Sequence, residues 1–333
     1  MRCVDLFAGC GGFSLGFEKA GFDIVGAIDN WSEAVHVYKQ NFSHPIYELD
    51  LNHLDNIIPI IEPLKPDIII GGPPCQDFSS AGKRDTSLGR AALTYSFQEI
   101  VSTIKPNYFV MENVDLILKS HIFSHIIEYF HKSDYGLTAV ILDASYCGVP
   151  QKRNRFFLIG GIHEKNNFLL DRLYKDLASN PLTVKEHFEG NLEIEYYYRH
   201  PRNYNRRGIF SVNEPSPTIR GVNRPIPPNY MPNHCDPQNI SLDQIRPLTT
   251  LERAKIQTFP DTFHWKGTKT NLEQMIGNAV PVNLAHFIGK NLLNHIQREE
   301  TTASNQLILF EEQLIIPSRP LHKQYNSLYK TRV

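Results

Sequence analysis

The stretch Gly71-Gly72-Pro73-Pro74-Cys75-Gln76 follows three consecutive isoleucines, Ile68 to Ile70, and two prolines hold the direction of the thiol. A cysteine attacks as its thiolate, so it needs a lowered pKa or an adjacent base. Spacing alone leaves a buried structural cysteine open as the alternative. Met111-Glu112-Asn113-Val114 puts a carboxyl at the end of a second apolar run, where burial would raise its pKa and suit it to general-acid work. Gln151-Lys152-Arg153-Asn154-Arg155 precedes a third apolar run. Alternation along a strand turns Arg153 and Arg155 to one side, toward an anion or a carbonyl oxygen.

Phe7-Ala8-Gly9-Cys10-Gly11-Gly12 stands where a first strand becomes a first helix. Glycines there let a ligand approach the backbone and leave helix N-terminal amides available. Asp29 ends the next strand candidate and is placed to accept ribose hydroxyls of a nucleoside-type cofactor. Asp50 lies between the second strand candidate and Ile68–Ile70, suited to an adenine amino group or a charged amine. A dinucleotide oxidoreductase fits less well, because Ser14 occupies the place of the third glycine.

These residues need a sheet edge to gather them. Strand-like segments at Cys3–Ala8, Asp23–Ile28, Ile68–Ile70, Tyr108–Met111, Leu137–Leu142 and Phe156–Ile159 alternate with helix-like ones at Phe13–Ala20, Glu33–Phe42, Leu93–Ile104 and Ile122–Phe130. That order predicts an α/β fold with βαβ units and a doubly wound, Rossmann-like sheet whose strand ends carry the ligands. Helical spacing returns at Thr250–Gln257 and Val282–Gln297, and Leu307–Phe310 and Leu314–Ile316 look strand-like. His121, His125 and Glu128 share a helical face, but the intervening Ile122, Phe123, Ile126 and Ile127 read as an ordinary amphipathic helix, and no metal is expected.

The chain has 333 residues, 41% hydrophobic and 21% charged, which suits a globular protein and excludes disordered or fibrous classes. No apolar run reaches the ~18–20 residues of a membrane span, and Asp5 interrupts any signal-like core. Five cysteines, Cys3, Cys10, Cys75, Cys147 and Cys235, form no CxxC pair, so reduced thiols in a cytoplasm are expected. Cys10 and Cys147 read as packed side chains. A net charge of -1 argues against a polyanion partner. The distribution argues otherwise: Arg199, Arg202, Arg206, Arg207, Arg220 and Arg224 face one acid, Glu214, within a proline-rich stretch interleaved with Tyr196, Tyr197, Tyr198, Tyr204 and Phe210. Such a segment suits phosphate and base contacts; arginines bonded to their own domain are the plainer alternative.

Together the motifs resemble the cytosine-C5 DNA methyltransferases that use S-adenosylmethionine. Asp5–Phe17 (DLFAGCGGFSLGF) is similar to that family's opening cofactor motif, Gly71–Ser79 (GGPPCQDFS) to its nucleophile motif, Glu112-Asn113-Val114 to its acidic motif and Gln151–Arg155 to its arginine motif. Arg246–Pro260 (RPLTTLERAKIQTFP) and Gly277-Asn278-Ala279-Val280-Pro281 are similar to the last two, in the family's order.

The resemblance implies that Cys75 attacks C6 of cytosine, that Glu112 bonds N3 and the exocyclic amine, that Arg155 contacts O2, and that Arg153 holds Glu112 and a backbone phosphate. Phe7, Ala8, Gly9, Gly11, Asp29, Asn30, Asp50, Pro74, Leu93, Asn278 and Val280 fall at cofactor positions. Asp29 is often Glu in the family, and Asn30 stands for a commonly apolar residue. Duplex DNA would meet Gln76, Ser79, Lys83 and Arg90 in a loop closing over a flipped base. Arg199, Arg202, Arg206, Arg207, Thr218, Arg220 and Arg224 would meet it from a recognition segment. The implied organisation is a catalytic and cofactor domain over 1–161, a target-recognition domain over 162–245, a return to the catalytic domain over 246–296 and an extension over 297–333. A cytoplasmic bacterial monomer paired functionally with a restriction endonuclease is expected. A tRNA methyltransferase of the same family and a non-catalytic DNA-binding relative are the alternatives.

Overall fold

The computed structural model describes residues 1–74, 91–203, 206–237 and 240–306. Cys75, Gln76, Ser79, Lys83 and Arg90 lie outside them, as do Tyr204 and the strand-like segments after residue 306. Met1–Asn294 form one compact unit, and a second begins at His295.

Seven strands make the main sheet: β1 (Arg2–Leu6), β2 (Asp23–Asp29), β3 (Ile46–Glu48), β4 (Ile68–Gly71), β5 (Tyr108–Asn113), β6 (Tyr135–Asp143) and, after a two-residue β7 (Gln151–Lys152), β8 (Asn154–Ile162). Their order is β3-β2-β1-β4-β5-β8-β6. β3 to β5 are parallel, and β8 runs antiparallel to both neighbours. The helices between them are α1 (Gly12–Ala20), α2 (Ser32–Asn41), α3 (Leu54–Ile61), α4 (Ala91–Ile104) and α5 (His121–Lys132). Ala27 packs with Val35 and Tyr38 of α2, while its neighbour Ile28 packs with Ile57 of α3 and Phe97 of α4. Successive residues thus face opposite helix layers, as in a doubly wound sheet. Ile68, Ile69 and Ile70 are all fully buried, because a central parallel strand is covered on both faces.

The expectation of βαβ units holds through β6, which follows α5 and runs parallel to β5 with the antiparallel β8 between them. Nothing long enough for a helical crossover separates β6 from β8, so the pair closes antiparallel. The turn passes through Cys147 and Gly148, the latter at φ 77.

Beyond β8 come α6 (Leu170–Lys175), α7 (Val184–His187), β9 (Tyr196–Tyr198), β10 (Ile209–Ser211), β11 (Ser216–Pro217), β12 (Arg246–Pro247), α8 (Thr250–Ile256), α9 (Lys269–Asn278) and α10 (Val282–Gln306). β9 pairs antiparallel with β10 and parallel with β12, and β11 pairs with β7. The proline-rich stretch leaves room for this small sheet because its prolines flank the strands or stand at strand ends, as Pro217 and Pro247 do. Tyr197 and Tyr198 are 1% exposed and anchor it.

Asp5 sits fully buried in β1 and accepts a hydrogen bond from Ser14 Oγ at 2.6 Å; Tyr38 donates to the same hydroxyl at 2.7 Å. Burial pushes its carboxyl up from 3.8 to about 7, against the Ser14 bonds. A folded-state value above the unfolded one means the folded protein holds the proton more tightly. The stabilisation is complete below the unfolded value and is lost as pH rises toward 7. Asp5→Asn therefore gains on the wild type by ~1.4 kcal/mol per pH unit across that window. Urea unfolding of both proteins at several pH values checks this, and a constant difference would exclude it.

Candidate active site

The C-terminal ends of the parallel strands open on a cleft of about 360 Å³. Phe7, Ala8, Gly9, Asp29, Asn30, Asp50, Pro74, Leu93, Glu112, Arg153, Arg155 and Asn278 all line it. The chain turns into the cleft through a left-handed Phe7 (φ 60) and Gly9 (φ 55). At Gly9 an added Cβ would meet nothing within 4 Å, which is the open approach a ligand needs. Asp29 is held by its own backbone surroundings: Oδ2 accepts from Gly9 N and Oδ1 from Trp31 N, each at 2.8 Å. Burial raises its pKa, and those two amides counter the rise. A carboxylate oxygen has a second lone pair, so both remain able to accept hydroxyl donors. Asp50 Oδ1 accepts from the backbone and side-chain nitrogens of Asn52, both at 2.9 Å.

Two proposed cofactor residues stand elsewhere. Gly11 is the left-handed residue (φ 97) ahead of α1, and its absent side chain makes room for Phe42. Val280 is 8% exposed, and its carbonyl presses on Gly12, where an added Cβ would lie 2.3 Å away. Both shape the loop rather than the cleft wall. Trp31, Cys10, Leu49, Leu51, Met275 and Ala279 line the cleft without a motif of their own to mark them. Trp31 had a signal: it is the first apolar residue after Asp29, where Asn30 broke the pattern. Cys10 and Cys147 are buried, and burial pushes each thiol up to about 12.

Glu112, at the end of β5, receives Arg155 Nε on Oε1 at 2.8 Å. Burial raises its pKa, with Arg155 and then Arg153 pulling it down, and burial prevails. A Cβ at Gly72 would lie 3.2 Å from Oε2, so glycine there keeps space beside the carboxyl. Asn113 donates to the Pro73 carbonyl at 3.3 Å and so pins the chain just ahead of position 75.

Arg153 differs from its expected role. It is 2% exposed and donates through Nη1 to Ile219 O at 3.1 Å and through Nη2 to Gly277 O at 3.2 Å and Ala279 O at 3.3 Å. A guanidinium so enclosed does not reach a phosphate, and its bonds go to main chain rather than to Glu112. Its neighbour's carbonyl, Asn154 O, takes Arg155 Nη1 at 2.7 Å.

Arg155 also lines a second, open groove of about 600 Å³ with Asn154, Lys152, Thr218 and five of the proposed arginines, Arg199, Arg202, Arg206, Arg207 and Arg220. These divide by role. Arg202 and Arg206 are exposed, as is Arg224, which lies outside the groove lining. Arg207 is bound to both oxygens of Glu214, to Ile209 O at 2.7 Å, and lies 4.6 Å over the Phe210 ring. Arg199 donates to Thr218 O at 2.8 Å, and burial with the nearby Arg220 lowers its pKa to about 10. Arg220 donates to His200 O. So Arg199, Arg207 and Arg220 are bonded to their own domain, while Arg202, Arg206 and Arg224 are exposed.

The polar residues of Arg246–Pro260 are consumed within the fold. Arg246 pairs with Glu252 at 2.7 Å, inside a capping box with Thr249. Arg253 pairs with Glu273 at 2.7 Å, both nearly buried, and Gln257 joins Gln151 at 2.6 Å.

The chain is similar to known proteins along nearly this whole length. Residues 1–294 match the C-5 cytosine-specific DNA methylase family. The type II methyltransferase M.HindV of Haemophilus influenzae is 61% identical over 294 residues, covering 88% of this chain and 97% of that protein. M.HgiDI of Herpetosiphon aurantiacus, also a type II methyltransferase, is 54% identical over 298 residues, covering 90% and 96%. Among solved structures, a putative DNA modification methyltransferase from an Escherichia coli prophage superposes with TM-score 0.66 at 25% identity, over 89% of this chain and 99% of that one. The Schizosaccharomyces pombe Dnmt2 methyltransferase shares the fold at TM-score 0.68 and 17% identity, over 89% and 99%. With the family match over residues 1–294 and these two relatives, the chain that holds the Glu112–Arg155 pair at its strand ends belongs to the C-5 cytosine-specific DNA methylases.

Proposed function

We propose that this DNA cytosine-5 methyltransferase is a type II modification enzyme that methylates a cytosine flipped out of one duplex sequence and protects that sequence from a partner endonuclease. The reading rests on one observation above all: the Glu112–Arg155 pair stands where the cleft and the basic groove share a wall. A base in the groove's wall reaches the carboxyl, and a donor in the cleft reaches the same base.

The cleft residues fit S-adenosylmethionine. Phe7, Trp31 and Leu93 offer apolar faces for a purine, Asp29 suits the ribose hydroxyls, and Gly9 leaves the loop open. When bound, that cofactor supplies an electrophilic methyl group. The chain's own residues make cytosine able to accept it. The thiolate of Cys75 adds to C6, Glu112 gives N3 a proton as charge moves into the ring, and Arg155 orients the carboxyl and meets O2. The ring is thereby activated at C5. Once C5 carries the methyl group, a general base takes the C5 proton, the Cys75 thiolate leaves C6, and N3 returns its proton to the Glu112 carboxylate, which restores the aromatic ring.

Residues 162–245 act as the target-recognition domain and 246–296 return to the catalytic domain. Arg202, Arg206 and Arg224, with Gln76, Ser79, Lys83 and Arg90, contact DNA, while Arg199, Arg207 and Arg220 shape the surface they work from. Arg202→Ala with Arg206→Ala flattens the dependence of log K on log salt by ~0.9 for each phosphate that is no longer neutralised. Filter binding across a salt series measures the slope. Arg207→Ala instead lowers thermal stability, since it strands Glu214; an unchanged slope in the first pair would return those arginines to the protein's own surface.

Bisulfite sequencing of plasmid DNA from cells expressing the chain tests the whole reading. Protected cytosines at one recurring sequence are expected. Unmodified cytosine throughout, in cells that hold folded protein, sinks it.

A further inference from the structure

Between the cleft and the groove lies a buried knot of three side chains. Gln151, Arg153 and Gln257 are 0%, 2% and 0% exposed. On the groove side the knot holds one residue by both its backbone groups. Ile219 N donates to Gln151 Oε1 at 2.8 Å, and Ile219 O accepts from Arg153 Nη1 at 3.1 Å. Its neighbours, Thr218 and Arg220, line the groove. On the cleft side the knot holds the carbonyls flanking Asn278, which lines the cleft. Arg153 Nη2 donates to Gly277 O and Ala279 O, and Gln257 Nε2 donates to Ile276 O and to Ala279 O at 3.1 Å. The bond from Gln151 Nε2 to Gln257 Oε1, 2.6 Å, closes the knot.

The two backbones it joins also touch. A Cβ on Gly277 would fall 2.2 Å from Gly221 N and 2.3 Å from Arg220 C. With main chain against main chain, a displacement of 219–221 has no slack to take it up before it reaches 277–279. Buried amides that lose a partner find no water to replace it, so the bonds hold the two segments in one register.

We propose that Gln257, with Gln151, is a positioning residue that couples occupancy of the cleft to occupancy of the groove. Neither glutamine lines either ligand surface. Gln151 acts through Ile219, and Gln257 through the carbonyls of Ile276 and Ala279 on either side of Asn278. The proposal rests on the reading of the cleft as the S-adenosylmethionine site and of the groove as the DNA surface. Coupling of this kind is reciprocal: DNA tightens the cofactor by the factor by which cofactor tightens DNA.

The test uses the full chain, S-adenosylhomocysteine as an unreactive probe, and the fluorescence of Trp31, one of two tryptophans and a cleft residue. Unmethylated plasmid duplex should tighten the probe's Kd about tenfold in the wild type, within the usual range of such couplings. Gln257→Met should bring that ratio to about one, and so should Gln257→Glu, which keeps the shape but faces two carbonyls with an acceptor. Asn291→Leu is the control for lost stability: Asn291 is a buried amide bonded to Phe287 O within α10, and the ratio should survive its loss. Hydrogen exchange on the wild type needs no variant to fold. DNA alone should slow exchange across 272–281, and S-adenosylhomocysteine alone across 216–223. A ratio preserved in both Gln257 variants, or exchange confined to each ligand's own segment, overturns the coupling. A wild type that binds neither probe overturns the reading of the two sites and the coupling with it, whereas independent binding of both overturns the coupling alone.

Discussion

Cys75→Ser should lower methyl transfer by about 10⁴-fold or more, the order of loss when an enzyme gives up its covalent nucleophile. A serine hydroxyl is far less nucleophilic near neutral pH than a thiolate and needs a base to take its proton. The thiol's reactivity depends on local positive charge, and Lys83, Arg84 and Arg90 supply cations in its stretch of sequence. Cofactor binding should stay within about twofold, because serine differs from cysteine by one atom and leaves the described cleft walls unchanged. Two measurements separate the effects. Tritiated methyl transfer to plasmid DNA reads turnover. Denaturing electrophoresis after reaction with DNA containing 5-fluorocytosine reads the covalent adduct, since fluorine at C5 blocks the elimination. Wild type should give a shifted band and Cys75→Ser none. Equal turnover in the variant would remove Cys75 from the mechanism.

Glu112→Gln should lower kcat by ~10²–10⁴-fold, the usual worth of a positioned proton donor. Glutamine keeps the shape and accepts the Arg155 bond, so folding and cofactor affinity should hold. It has no proton of carboxylic acidity to give N3. Burial lifts the Glu112 pKa and Arg155 and Arg153 lower it, with a net rise. The protonated carboxyl is thus the working form at the low end of the pH range, and wild-type kcat should fall as pH climbs through the raised value. The Glu112→Gln profile should be flat over the same span. A variant that keeps the wild-type fall would assign that titration to another group, and undiminished kcat would end the case for Glu112 as the acid.

The carboxyl at the cleft and the glycine-rich loop that lines it were legible in the sequence because strand-end placement is local. Phe7–Gly12, Asp29, Asp50, Glu112 and Arg155 each follow or precede an apolar run, and a parallel sheet brings such ends to one edge whatever the helices do. Gly11 and Val280 were misplaced for a reason of the same scale. A residue can belong to a loop that forms a site and still turn its own atoms into the packing beneath it, as the space kept for Phe42 beside Gly11 shows.

The arginines were not legible one by one. Charge and aromatic spacing over Arg199–Arg224 signalled a polyanion surface without separating Arg202 and Arg206 from Arg207, whose partner Glu214 stands seven residues on. Arg153 and Arg155 read alike from alternation, yet one meets three carbonyls in the interior and the other a carboxylate at the cleft. The small sheet of β9, β10 and β12 escaped because β12 arrives from 48 residues further along than the end of β9. Proline density hid the short strands between.

By itself the sequence determined the chemistry this protein carries: a thiol, a carboxyl, an arginine and a glycine-rich loop, in the order of one enzyme family, on a sheet whose apolar runs are local signals. The tertiary structure alone decided which cations face a groove and which are spent on the fold, and how Gln151, Arg153 and Gln257 tie segments more than fifty residues apart. Those outcomes depend on burial and on hydrogen-bond partners distant along the chain, and a buried donor takes whichever acceptor the packing brings to it.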